Sequence, residues 1–86
     1  MSVSDPDHAH DAALSFTYDD ERRARTVAAS LAVEQDEIAD ARSRATVERE
    51  GATVQVRVTA ADLVALRAGC TSWTRLVAVA ERLARD

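Results

Sequence analysis

The most regular pattern of apolar and polar positions lies in the C-terminal half of the chain. Val54, Val56 and Val58 alternate with Gln55, Arg57 and Thr59, the period-two signature of a strand with one buried face. Thr59 and Asp62 then sit at the S/T-x-x-D spacing of a capping box, which marks the expected start of a helix. Beyond it Leu63, Leu66, Cys70, Trp73, Val77, Ala80 and Ala84 recur at alternating steps of three and four, an a/d seam held over about three heptads. A second apolar row, Ala65, Leu76, Val79 and Leu83, lies beside the seam. Together the two rows cover about 200° of the helix, roughly twice the stripe needed to rest on one layer. Arg67, Arg75, Arg82 and Arg85 fill the remaining sector. Such a helix is expected to meet its own sheet on one flank and a partner on the other.

The N-terminal half is less regular. Residues 1–11 are polar and acidic, with Pro6 and no periodicity, and read as a disordered tail before a single domain over 12–86. Leu14, Phe16 and Tyr18 alternate with polar residues and predict a first strand. Asp19 or Asp20 is placed to cap a helix, with Glu21 in its first turn. Ala24, Val27, Ala28 and Leu31 recur at helical spacing, which carries that helix to Ala32 or Val33. Residues 34–42 are charged and read as a loop or frayed turn. Ala45, Val47 and Arg49 alternate weakly toward Glu50-Gly51-Ala52, so this stretch and the valine strand form a hairpin. The predicted order is β-α-β-β-α. That is an α+β two-layer fold, a three-stranded mainly antiparallel sheet with two helices on one face.

At 86 residues a single core is only marginally sufficient. A three-stranded sheet also leaves two unpaired edges. Pairing the edges of two copies would build one continuous sheet, and with the two-flanked helix this predicts a homodimer. No apolar run reaches membrane-spanning length and no signal sequence is visible, which fits a cytoplasmic protein without membrane contact. The lone Cys70 excludes a disulfide framework within the chain. All eleven basic residues are arginine. An acidic, lysine-free chain resembles proteins of extreme halophiles, and a GC-rich genome gives the same bias.

Candidate chemistry is sparse. With only Gly51 and Gly69, the P-loop, the dinucleotide turn and the GxxG loop of KH modules are excluded. His8 and His10, beside Asp5, Asp7 and Asp11, are metal-ligand types, but in a tail they read as solvated. No other histidine exists to serve as acid or base. Cys70, within the apolar seam, reads as a packed thiol. The expectation is a non-catalytic module without cofactor or metal. The four helix arginines, with Arg57 on the preceding strand, are candidates for RNA phosphates; as a solvated face they would be supported by pairs such as Glu81 with Arg85.

Ala60-x-Asp62, Leu66-Arg67-Ala68, Ser72 and Arg75 resemble the "A-x-D…LRA…NS…R" signature of the Pcc-type small subunit of the KEOPS complex. Ala24, Val27, Ser30-Leu31 and Glu34 are similar to that family's first helix, so the resemblance spans Ala13 to Leu83. Thr71 stands where the family usually has Asn. The resemblance implies a β-α-β-β-α homodimer that bridges copies of the catalytic threonylcarbamoyl-transferase subunit, which modifies adenosine 37 of tRNA. It further implies helix packing against that subunit, with Val27, Leu31, Leu66, Cys70, Trp73, Val77 and Ala80 divided between core and partner, Trp73 the leading anchor. In that context Arg57, Arg67, Arg75, Arg82 and Arg85 would help hold tRNA. A stand-alone RNA-binding module and a small regulatory homodimer are the alternatives.

Overall fold

The computed structural model describes residues 10–38 and 43–85, with backbone alone for 36–38. Its elements run β1 (His10–Thr17), α1 (Glu21–Ile38), β2 (Ser43–Glu50), β3 (Thr53–Ala60) and α2 (Leu63–Leu83). The sheet order is β1-β3-β2, with both outer strands antiparallel to β3. The predicted α+β architecture is therefore the observed one.

Alternation sets the two faces of the sheet. Val54, Val56, Val58 and Ala60 point to the helix side and are buried, because β-branched side chains at every second position make a continuous apolar strip. Gln55, Arg57 and Thr59 point to the other face. There they lie beside Ala13, Ser15 and Thr17 of β1 and Arg44, Thr46 and Glu48 of β2. That face is polar, largely exposed and covered by no element among the described residues. Both helices pack on the valine side, α1 mainly over β2 and α2 mainly over β3 and β1.

The local signals act as read, with three differences. The hairpin closes through Gly51 and Ala52, with Glu50 paired to Thr53 and Gly51 at φ 60°. A positive φ at the first turn position alone is the pattern of a type II′ turn, open to glycine without strain. Asp20 caps α1, accepting from Arg23 N–H at 2.7 Å. The first difference is the length of α1, which continues through Ile38 rather than ending at Ala32 or Val33. Gln35 Oε1 accepts the Val47 N–H at 3.0 Å, which ties this last stretch of helix to β2. The second is the capping box. Asp62 alone caps α2, accepting from Ala65 N–H at 2.8 Å. Thr59 belongs to β3, and its hydroxyl is oriented to the Arg44 carbonyl at 3.5 Å. The strand runs one residue past Thr59, so the hydroxyl cannot reach the helix amides. The third is β1, which begins at His10 and so takes two residues from the expected tail. Residues 1–9, including His8, lie outside the described residues.

One contact sets how closely α2 sits on the sheet. A Cβ built on Gly69 would lie 2.9 Å from Val58 Cγ1. Val58 is buried and stiff at χ1, so it cannot swing aside. Alanine at an ordinary helix position gains about 1 kcal/mol over glycine. At this position overpacking costs typically 1–3 kcal/mol. Gly69→Ala is therefore expected to lower stability, by up to about 2 kcal/mol, a shift that urea denaturation followed by circular dichroism measures; a gain in stability would show that the helix does not sit this close.

Candidate partner-binding surfaces

The long helix divides its apolar surface sharply. Trp73, Val77 and Ala80 are buried at 3% exposure or less, and Leu66, Cys70 and Ala84 pack partly against the same cluster. Val27 and Leu31 of α1 are buried in that cluster as well. The seam is thus the inner face of α2. Five of the residues read as partner-binding, Val27, Leu31, Trp73, Val77 and Ala80, are committed to the chain's own core. The reason is the narrow sheet: β3 offers only small valine side chains, and Trp73 is the large group that fills the space above them.

The second row is what the core leaves over. Leu76 is half-buried, whereas Val79 is 45% and Leu83 67% exposed. Ser72, Arg75, Leu76 and Val79 line one shallow depression on this flank. A second, lined by Arg22, Arg23, Thr26, Leu83 and Ala84, lies between the end of α2 and the start of α1. Steps of three and four place Leu76, Val79 and Leu83 on one line, and the sequence pattern had shown this row without deciding which of the two would face outward. Leu63 and Val64 at the start of α2 are also exposed, at 65% and 76%.

The arginines do not form one surface. Arg67, Arg75 and Arg82 are exposed along α2, and Arg85 is exposed just beyond its end. Arg57 lies on the opposite side of the sheet, where its guanidinium approaches Asp11 Oδ2 at 3.5 Å. Odd positions of β3 point away from the helices, so β3 cannot add a charge to the α2 row. Glu81 also departs from its expected pairing with Arg85. It accepts a 2.7 Å hydrogen bond from the Tyr18 hydroxyl, beneath the Arg23 guanidinium that lies 5.7 Å from the Tyr18 ring centroid. Tyr18 thereby fastens the end of β1 to the last turns of α2. Among the described residues no group of three or more His, Cys, Asp or Glu side chains is placed to hold a metal. No helix there is long and apolar enough to cross a membrane.

The chain matches the family model described as "Transcription factor Pcc1" over residues 11–85. It belongs to the Pcc1 family. Its fold is similar to that of a chain in a solved structure described as "Crystal structure of binary complex Gon7-Pcc1", with a TM-score of 0.72 and 21% identity. That likeness covers 86% of this chain and 90% of the other. No curated protein sequence matches the chain. As for the word transcription in the family's description, the two helices are separated by the β2–β3 hairpin, whereas a helix-turn-helix joins them by a short turn.

Tyr18 makes the β1–α2 link sensitive to alkali. Burial raises the pKa of its phenol above the ordinary 10.0, the hydrogen bond to Glu81 and that carboxylate's charge raise it further, and Arg23 opposes them. The folded state thus holds the phenolic proton more tightly than the unfolded chain. The linked stability is complete below pH 10 and declines as the pH rises above it. Stability measured by urea denaturation is expected to fall between pH 9 and pH 11 more steeply in the wild type than in Tyr18→Phe; parallel curves would show that the phenol is not held.

Proposed function

We propose that this chain is the non-catalytic small subunit of a tRNA-threonylcarbamoyladenosine (KEOPS) assembly, a homodimeric scaffold that bridges copies of the catalytic transferase subunit in the cytoplasm. Membership of the Pcc1 family supports the assignment, as does the resemblance of the Ala60-x-Asp62 and Leu66-Arg67-Ala68 motifs to the Pcc-type subunit. The observation that carries it is the outward row Leu76, Val79 and Leu83, which extends along the second half of α2 with the core already filled. Apolar residues at i, i+3 and i+7 on a solvent-facing helix suit the groove or helices of a protein partner.

Partner contact in this reading moves from the inner seam to its outer neighbours. Leu76, Val79 and Leu83 meet the transferase subunit, while Leu66 and Cys70 stay half-buried against the chain's own core. Arg75 lines the same depression and supplies a charged rim to an apolar centre, the ordinary anatomy of an interface. Arg67, Arg82 and Arg85 are the arginines left to approach tRNA, by contacts to its phosphates that weaken with salt.

The test is co-expression with the cognate transferase subunit, followed by size-exclusion chromatography with light scattering. The wild type is expected to co-elute as a bridged complex. Val79→Asp combined with Leu83→Asp is expected to weaken that association at least tenfold, about 1.4 kcal/mol or more, with the circular dichroism of the free chain unchanged because both side chains are exposed. A wild-type chain that elutes apart from the transferase subunit overturns the proposal.

A further inference from the structure

We infer that the depression between the end of α2 and the start of α1 is a carboxylate site, in which Arg23 takes an acidic side chain of the transferase subunit. The inference rests on the partner reading above and adds a polar anchor at the end of its apolar row.

Arg23 is set apart by what its side chain lacks. Its Nε is the single buried side-chain nitrogen or oxygen without a hydrogen-bond partner among the described residues. Buried polar groups are hydrogen-bonded almost without exception, and an orphan of this kind asks for an explanation. The guanidinium reaches no carboxylate among the described residues either. Arg25 and Arg49 lie 3.2 and 3.4 Å from Glu21, and Arg57 lies 3.5 Å from Asp11. Arg23 has only the Tyr18 ring, whose centroid is 5.7 Å away. Glu81 accepts from the Tyr18 hydroxyl at 2.7 Å and not from Arg23. A guanidinium held on an aromatic face keeps its forked donors free for a planar anion.

The depression around Arg23 suits one charged group beside one apolar group. Its walls are Arg22, Arg23, Thr26, Leu83 and Ala84. Thr26 donates its hydroxyl proton to the Arg22 carbonyl at 3.1 Å, which leaves the two guanidinium groups as the donors. Leu83, 67% exposed, forms the α2 wall and is also the last member of the outward row. The site therefore continues the apolar surface proposed for the partner and ends it with charge. An interface with an apolar centre and a polar rim has this anatomy.

The neighbours favour a carboxylate over a phosphate backbone. Asp19, Asp20 and Glu21 immediately precede the two arginines, and Asp20 is held at the helix start by the Arg23 N–H. Nucleic acid brings a phosphate with every nucleotide, so a strand laid on Arg22 and Arg23 would also face these acids. A single carboxylate meets Arg23 alone, in the bidentate geometry that arginine offers a planar anion. An apolar neighbour of that acid packs on Leu83.

The test uses the full chain with the cognate transferase subunit and reads the dissociation constant by titration calorimetry across a salt series. Arg23→Gln is expected to raise the dissociation constant about tenfold and to flatten its rise with salt. Arg23→Lys keeps the charge without the fork and is expected to fall between Arg23→Gln and the wild type. Thr26→Glu places a carboxylate of the chain's own one turn from Arg23, and is expected to weaken binding about tenfold with the circular dichroism unchanged. That variant decides the matter if Arg23→Gln does not fold. Wild-type affinity in Arg23→Gln, or in Thr26→Glu where the first does not fold, overturns the carboxylate site and leaves the partner reading standing. Unchanged transferase binding by Arg23→Gln with a loss of tRNA from the assembly overturns it too, since the ligand is then a phosphate. A wild-type chain that does not bind the transferase subunit overturns both.

Discussion

The close seating of α2 on the valine strip of β3 is the constraint on which the rest of the molecule depends. Val54, Val56 and Val58 offer little volume, so the helix must come down almost to backbone contact, and Gly69 over Val58 is where it does so. That depth lets Trp73, Val77 and Ala80 reach the sheet and meet Ala24, Val27 and Leu31 of α1. A core built from small groups is dense but thin. It also fixes the rotation of α2: with the seam turned inward by one glycine and one tryptophan, the row Leu76, Val79 and Leu83 has to face out.

Two unfinished surfaces follow from this arrangement, and they differ in kind. The outward row of α2 is an apolar surface whose burial depends on area and shape. The β1 edge is a row of backbone groups whose satisfaction depends on register. A helix is the natural complement of the first and a strand of the second, so the two surfaces call for different kinds of contact. The third surface, the open sheet face, is polar and carries exposed pairs such as Arg57 with Asp11. Exposed pairs of that sort contribute little stability, and the face needs no cover.

Much of this architecture was legible in the chain. The valine alternation and the heptad seam announced β3 and α2 because each is a strict period, and Gly51 marked the hairpin because the turn requires a positive φ there. What was illegible depended on distances across the fold. α1 seemed to end near Val33, since apolar spacing stops at Leu31; Gln35 belongs to the helix as a polar tether to Val47, a role no periodicity encodes. The capping box was misread because strand pairing with Arg44 holds Thr59 in β3. The two apolar rows of α2 were both visible, but choosing between them needs the depth of the Gly69 contact, which is a property of the partner element and not of the helix. The grouping of Arg57 with the helix arginines failed for a related reason: closeness in sequence does not carry across a sheet.

The separation of the arginines bears on how this subunit can meet nucleic acid. A binding groove usually gathers charge from several elements so that successive phosphates meet a continuous potential. In this chain Arg25 and Arg49 are drawn to Glu21, Arg57 lies beneath the sheet, and the arginines of α2 run along one helix on the other side. A single helix of exposed arginines, on a chain with a net charge of −4, makes a weak and salt-sensitive electrostatic surface. The apolar row on the same helix makes a protein contact that salt does not weaken. Charge steers and apolar burial holds, so the physical balance on α2 favours contact with protein over direct contact with RNA.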